Sequence, residues 1–536
     1  MSKKVLAVIL SLILAFSVVA VPVSAADSAL GNFNIENVFN TLIDKLISFV
    51  LTYLNQFWPG YEDKWETDDG YVPENFFEGE AEFDKELASD AKWSLGYSGA
   101  SLLDGIEPLS GDYYLAGTLE PIVGRVPTKI IDDQRVRVFA ISDGVSGIFI
   151  HAVIDGFGLS RGDIQEIRSR MDEFAEKYGI ISINVSVLHQ HSCIDTLGMN
   201  VPLAPALIFN TGNAATNGML DELKVQKNQQ FMENLYTKTV LSMKKAVVNM
   251  KEGELSYGAA DISEYIHDKR DPQAIDSEIH RLRFVPTDET RETWILEAGI
   301  HCTMLGAGPD ELTADFPYYV EKHIREEANA NVVYVQGPEL AITTDCDPLE
   351  LDEDIDDIER MDIYGATLAN AVMAIDPAEE LALKPILNVI MKEVRLDVTN
   401  EILTLAARED VLNPVIVKTA DDYQMITEIG YMELGNEVAI FLAPGEFDPI
   451  LFYGGPASGD ASWSGTEWAY PDLKDITPCK NIMVFGLCND QAGYVLRDNE
   501  YHSMFTENEE INVICDTAGS TFVNAYIDLV SSVSNG

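Results

Sequence analysis

The sequence predicts a large α/β domain with central β-sheets flanked by helices, and three observations carry this. From about Lys92 onward, short Val/Ile-rich runs alternate with stretches of 3.6-residue apolar period. Several of those runs lead into polar loops, the arrangement in which a sheet presents functional side chains at its edge. No internal repeat breaks the chain into a solenoid or array.

The N-terminus reads differently. Lys3 and Lys4 precede the apolar run Val5 to Ala20, and small residues follow to Ala26. That layout predicts a secretory signal peptide over 1–26, cut at Ala25 or Ala26, and a secreted, extracellular chain. A retained membrane helix is the alternative, but nothing basic follows the run to hold it. Asn34 to Trp58 predicts a helix on the spacing of Ile35, Val38, Phe39, Leu42, Leu46, Val50 and Leu54, ended by Pro59-Gly60. Asp44 and Lys45 interrupt it too much for a bilayer span. The acidic stretch Tyr61 to Asp90 reads as a linker or loose loop, so 27–91 forms a helix and linker ahead of the main domain at 92–536.

Within that domain, Arg135 to Ile141 and Gly147 to Ile154 predict strands joined at Ser142-Asp143-Gly144. Ser160 caps a helix with Asp163 in its first turn, running to about Tyr178 and ended by Gly179. Ile180 to Leu188 is a strand, and Leu220 to Met250 contains a long helix. Arg281 to Val285 and Thr293 to Ile300 predict a hairpin. Pro317 to Ala328 is a helix and Asn331 to Gln336 a strand. After the acidic run Asp345 to Asp362, a helix covers about Ile363 to Ala374. Glu437 to Leu442 and Ile482 to Leu487 are short strands, and Thr521 to Val533 is a final helix.

The formal charge of −52 sets 36 basic against 88 acidic residues. Nucleic acid and anionic membrane surfaces carry the same sign and are poor partners for such a surface. The six cysteines, Cys193, Cys302, Cys346, Cys479, Cys488 and Cys515, are too sparse for a disulfide scaffold, and no CxxC exists for a zinc ribbon. One or two bridges, Cys488 with Cys515 for instance, are left open by the spacing.

Of eight histidines, His189, His191 and His301 sit just beyond predicted buried strands. An extended His189-Gln190-His191 places both imidazoles on one side, and neutral imidazole is the commonest zinc ligand. Two core-edge histidines satisfied by backbone groups give the same pattern.

Four blocks in order supply more. Leu188-His189-Gln190-His191-Ser192 resembles the Thr-His-Thr-His-Ser-Gly-Pro motif of the neutral ceramidases. Arg281-Leu282-Arg283-Phe284, then Ile300-His301-Cys302-Thr303, resembles that family's LxF … VHGT segment. Ala443-Pro444-Gly445-Glu446-Phe447 resembles its Pro-Gly-Glu-Phe motif, and Gly486 to Val495 resembles its GLANxYxGYVTT block. The resemblance covers about Lys92 to the C-terminus. It implies zinc as cofactor, held by His189, His301, Glu446 and Tyr494, with an open position for water. It implies catalytic roles for His191, on the substrate carbonyl or oxyanion, and for Arg270, whose Asp268-Lys269-Arg270-Asp271-Pro272 setting resembles the family's Asn-Arg-Ser-Pro. The implied activity is amide hydrolysis of an N-acyl lipid such as ceramide to fatty acid and long-chain base, with transient contact to a membrane or lipid aggregate.

The chain also departs from the family. Cys193-Ile194 replaces Gly-Pro, Thr343 stands near the place of the GDVSP serine, Thr506 stands at the nominal place of a pocket tyrosine, and the family's C-terminal immunoglobulin-like domain has no counterpart. These departures keep two other expectations open: the same metal site acting on a different secreted amide or ester, and a non-catalytic binding protein on a degenerate scaffold. Cys193 and Cys302, each beside a ligand candidate, are expected to be inert packing residues.

Overall fold

The computed structural model describes residues 65–117, 124–200, 228–306, 310–352, 354–408, 411–420, 422–456, 459, 462–502 and 510–534. The signal-peptide region, the helix expected over Asn34 to Trp58, and Thr506 lie outside the described residues.

Two mixed sheets carry the core. The larger uses β1 (Ser94–Ser101), β2 (Arg135–Ser142), β3 (Ile148–Ile154), β4 (Ile180–Val187), β5 (Lys251–Asp261), β6 (Glu278–Pro286), β7 (Thr293–Ala298), β8 (Asn331–Gln336) and β9 (Leu381–Leu383). Their order is β8-β7-β6-β5-β1-β2-β3-β4, with β9 alongside β5; β3/β4 and β7/β8 are the parallel pairs. The second sheet uses β10 (Leu387–Asp397), β11 (Ile416–Lys418), β12 (Tyr423–Leu434), β13 (Val438–Leu442) and β14 (Asn481–Phe485), ordered β10-β12-β13-β14 with β11 on β12. Here β13 and β14 are parallel. Burial of β3, β4, β13 and β14 on both faces explains why these strands read as nearly continuous apolar runs.

The helices cover these faces: α1 (Arg161–Ser169), α2 (Asp172–Tyr178), α3 (Gln229–Val248), α4 (Asp315–Glu327), α5 (Asp357–Met373), α6 (Glu401–Arg408) and α7 (Ala518–Ser534). The helix expected from Ser160 to Tyr178 divides at Arg170-Met171 into α1 and α2. Gly179 ends it as expected, in the left-handed region at φ 66°. Helix α5 begins six residues before the expected Ile363 because Asp356 caps the Glu359 amide, so the end of the acidic run is itself a helical first turn. The acidic segment read as a linker has almost no regular structure over 65–90, yet it is tied along the second sheet: Glu80 N donates to Val389 O at 2.8 Å, and Lys418 N to Glu66 O at 2.9 Å. All six cysteines are free thiols, so the bridge considered for Cys488 and Cys515 is not formed.

The two sheets meet along a backbone seam after β14. Gly486 N donates to Gln336 O at 2.8 Å, and Asn489 N to Val185 O at 2.7 Å. The Asn489 side chain accepts from Val185 N at 2.9 Å and donates to Asn184 at 2.8 Å. A buried ionic brace crosses the same gap. Arg168 of α1 forks onto Glu428 of β12, with Nη1 3.0 Å from Oε2, while its Nε donates to Ile183 O at 2.9 Å. Burial would raise the Glu428 carboxyl, but the Arg168 and Arg161 guanidiniums outweigh it and hold it below its ordinary range. Glu428→Ala leaves two guanidiniums buried without it, and is expected to cost about 3–5 kcal/mol of unfolding free energy in urea titration.

His151 of β3 is a core histidine, stacked with Phe139 at 5.6 Å between centroids and edge-on to Phe485 at 4.9 Å. Burial, with no hydrogen-bond partner among the described residues, holds its imidazole down at about 3. The unfolded chain then binds a proton that the folded chain refuses. Stability from this group is present above about pH 6.5 and lost as pH falls toward 3. The slope should be about 1.4 kcal/mol per pH unit in that window, and His151→Phe should remove it. Urea midpoints between pH 4 and 7 read the difference.

Candidate metal centre

Four of the six predicted site residues converge at the carboxyl ends of strands from both sheets. His189 and His191 follow β4, His301 follows β7, and Glu446 follows β13. Open α/β sheets generally place ligands outside the carboxyl ends of their strands.

Each imidazole is oriented by a backbone carbonyl. His189 Nδ1 donates to Phe157 O at 2.7 Å, His301 Nδ1 to Glu339 O at 2.9 Å, and His191 Nδ1 to Gly117 O at 3.1 Å. With the proton on Nδ1, each Nε2 is left as a lone pair. His189 Nε2 and His301 Nε2 both lie 3.3 Å from Glu446 Oε2. The other oxygen, Oε1, accepts from Gln491 Nε2 at 2.9 Å, whereas Oε2 meets no donor among the described residues. Three buried acceptors thus face one another with no hydrogen between them.

A divalent cation resolves this. Donors on a tetrahedral zinc with bonds of about 2.0 Å stand about 3.3 Å apart, the separation seen on both histidine–carboxylate edges. Orientation of each ligand imidazole by a carbonyl is the usual outer support of such a site. The residues fit a metal, and a zinc-type donor set among them.

His189 is held in the left-handed region at φ 53°, which costs a non-glycine residue about 1–3 kcal/mol. This corrects the expectation of an extended His-Gln-His. Strand β4 ends at Val187, and the chain turns at His189. Gln190 is anchored the other way, on Asp155 at 2.9 Å and Ala314 O at 2.7 Å. The rings of His189 and His191 still meet, 4.8 Å apart, but through a turn instead of strand alternation. Gly117 is required here: a Cβ would stand 2.1 Å from His191 O, at φ 108°. Pro444-Gly445 makes the sharp turn expected before Glu446, and a Cβ on Gly445 would stand 2.7 Å from Gly493 O.

Burial, with His191 and His301 beside it, pushes the His189 imidazole well below its ordinary range. Burial and His301 hold His191 down at about 3, so both are neutral ligand-type imidazoles at neutral pH. Burial lifts the Cys193 and Cys302 thiols well above their usual range, and Cys193 Sγ rests on Gln190 O at 3.2 Å. Neither is a thiolate ready for metal.

Tyr494 is brought beside Glu446 by a short parallel pairing, Glu446 with Tyr494 and Phe447 with Val495, and it lines the same cavity. Arg270 is buried but directed at Asp448, Nε to Oδ2 at 4.0 Å, and is not on the cavity wall. The cations acting on His191 are instead Lys269 and Arg125, the latter donating to His191 O at 3.4 Å. Thr343 pairs with His267 in a short two-stranded ribbon.

Sequence reasoning missed Glu339, fully buried and grouped with His301 and Glu446 within 4.8 Å. A signal for it exists. Gly337-Pro338-Glu339 follows β8 much as Pro444-Gly445-Glu446 follows β13.

The cavity beside the histidines measures about 360 Å³. Gln491 and Tyr494 join His189, His191 and Glu446 on its wall, and Val398, Leu403, Leu412, Ile416, Met425 and Ile514 make the remainder largely apolar.

The solved structures share this architecture. The neutral ceramidase from Pseudomonas aeruginosa superposes with a TM-score of 0.61 at 12% identity, covering 82% of this chain and 74% of that one. The chain has a neutral-ceramidase fold. A ceramidase complexed with C2 gives a TM-score of 0.59 at 12% identity, over 83% of this chain and 76% of that one. No family model matches the sequence, and a search of curated proteins finds no match. The ceramidase-like fold thus holds at 12% sequence identity.

Proposed function

We propose that the chain is a secreted, zinc-dependent hydrolase that cleaves the amide bond of an N-acyl lipid such as ceramide. The observation that carries this is the convergence of His189 Nε2 and His301 Nε2 at 3.3 Å on an unpartnered Glu446 oxygen, beside a largely apolar cavity. His189, His301 and Glu446 would hold the ion, with Tyr494 alongside. A zinc ion held there supplies a nucleophilic water at neutral pH and a Lewis acid for the carbonyl.

The chain's own residues do the rest. The apolar wall takes an acyl chain, and burying each methylene is worth about 0.8 kcal/mol. His191 is expected to position water. Its Nδ1 proton is committed to Gly117 O, so Nε2 can accept a hydrogen bond from water but cannot donate to an oxyanion. Burial holds its imidazole down at about 3, too low for an effective proton acceptor at neutral pH. This revises the donor role that the family resemblance implies for His191. Arg270, 4.0 Å from Asp448, would support the Glu446 loop two residues away.

A run of small residues after an apolar segment near the N-terminus supports secretion. The replacement of the family's Gly-Pro by Cys193-Ile194, beside His191, is the specific feature favouring a different amide or ester as substrate.

Purified mature chain is expected to carry about one zinc and to hydrolyse ceramide in preference to short N-acyl amides and esters. Chelation, His189→Ala or Glu446→Ala should each cut the rate at least about a thousandfold, several kcal/mol of transition-state stabilisation, while circular dichroism stays native. Preference for a non-lipid ester would move the assignment to the alternative substrate class. Zinc bound with no turnover on any acyl substrate would sink the hydrolase assignment.

A further inference from the structure

The metal centre holds one acid more than its first three donors need. Glu339 has no exposed surface, and neither of its carboxylate oxygens meets a hydrogen-bond donor among the described residues. An isolated buried carboxylate without partners is among the costliest arrangements a fold can contain. Glu339 nevertheless stands in one triad with His301 and Glu446, one ligand atom from each lying within 4.8 Å of the others. Donors sharing a tetrahedral zinc stand about 3.3 Å apart, so a side-chain shift would bring the Glu339 carboxylate onto the common centre.

The backbone tells the same story. Glu339 O orients His301 through Nδ1 at 2.9 Å. Its N-terminal neighbours Gly337 and Pro338 turn the chain at the carboxyl end of β8, the strand parallel to the one that delivers His301. Gly337 lies so close to Glu297 that a Cβ would stand 2.1 Å from its Oε1, so this turn is fixed from below. The residue therefore approaches the centre from a rigid support.

We propose that Glu339 is a further carboxylate ligand of this metal centre, giving it two imidazoles and two carboxylates. This rests on the zinc-site reading above. Two carboxylates cancel the charge of one divalent ion, so the loaded site is neutral and can remain buried. Glu339 would both hold the ion through its side chain and orient His301 through its carbonyl.

The test compares zinc affinity of the wild-type chain, Glu339→Gln and Glu339→Asp by competition with a chromophoric chelator, and follows the thermal midpoint with and without zinc. Glutamine keeps the shape and the backbone carbonyl but removes the charge; aspartate keeps the charge on a shorter arm. Glu339→Gln is expected to weaken zinc binding at least about tenfold, with aspartate in between, and to shrink the zinc-induced rise in midpoint. A merely structural acid would lower the midpoint equally with and without zinc and leave the affinity unchanged; that result overturns the proposal. Should glutamine not fold, unchanged affinity in the aspartate variant overturns it equally. Zinc on wild type but unaltered in the variants removes Glu339 alone, whereas no zinc on any of the three removes the metal-site reading and this proposal together.

Discussion

Buried lone pairs that face one another are costly unless a cation, a proton or a water lies between them. At the seam of this fold, the Nε2 atoms of His189 and His301 are fixed as acceptors because their Nδ1 protons are given to Phe157 and Glu339 carbonyls. Both address the Glu446 oxygen that no donor among the described residues reaches. The fold spends strain to build this: His189 sits in the left-handed region, and Gly445 and Gly117 occupy places where any side chain would collide. This is the kind of donor set that a bound cation would neutralise.

That convergence requires two sheets to be held in fixed relation. The parallel pairs β3/β4, β7/β8 and β13/β14 all aim their carboxyl ends at one region. The backbone bonds from Gly486 and Asn489 stitch the sheets beside it, and the Arg168–Glu428 pair locks α1 to the second sheet. Because these ties are buried, the geometry of the histidines and Glu446 is set by the core and not by mobile loops. The cavity then opens between the centre and apolar side chains such as Val398, Leu412 and Met425, which suits an acyl chain more than a polar substrate.

Much of the fold was legible because its strands are short, β-branched and punctuated. Asn331 to Gln336 is a strand at the expected residues, and Gly179 stops its helix. The long strands β10 and β12 went unread because Lys392, Glu393, Arg395 and Glu428 interrupt their apolar pattern, and only tertiary pairing such as Arg168 with Glu428 explains those charges. The site was legible where chemistry leaves unusual residues at strand ends: His189, His191, His301 and Glu446. Glu339 escaped notice because one more acid among 88 carries no signal until its burial is known. The expected extended His-Gln-His went astray because sequence spacing does not say which way a loop turns a side chain.

The most direct test of the central claim is an anomalous scattering map from crystals of the zinc-loaded protein, collected across the zinc edge. The account predicts a single strong peak about 2.0–2.2 Å from His189 Nε2, His301 Nε2 and a Glu446 oxygen. A map with no peak there, or with zinc bound elsewhere while those three side chains hydrogen-bond to water alone, would contradict it.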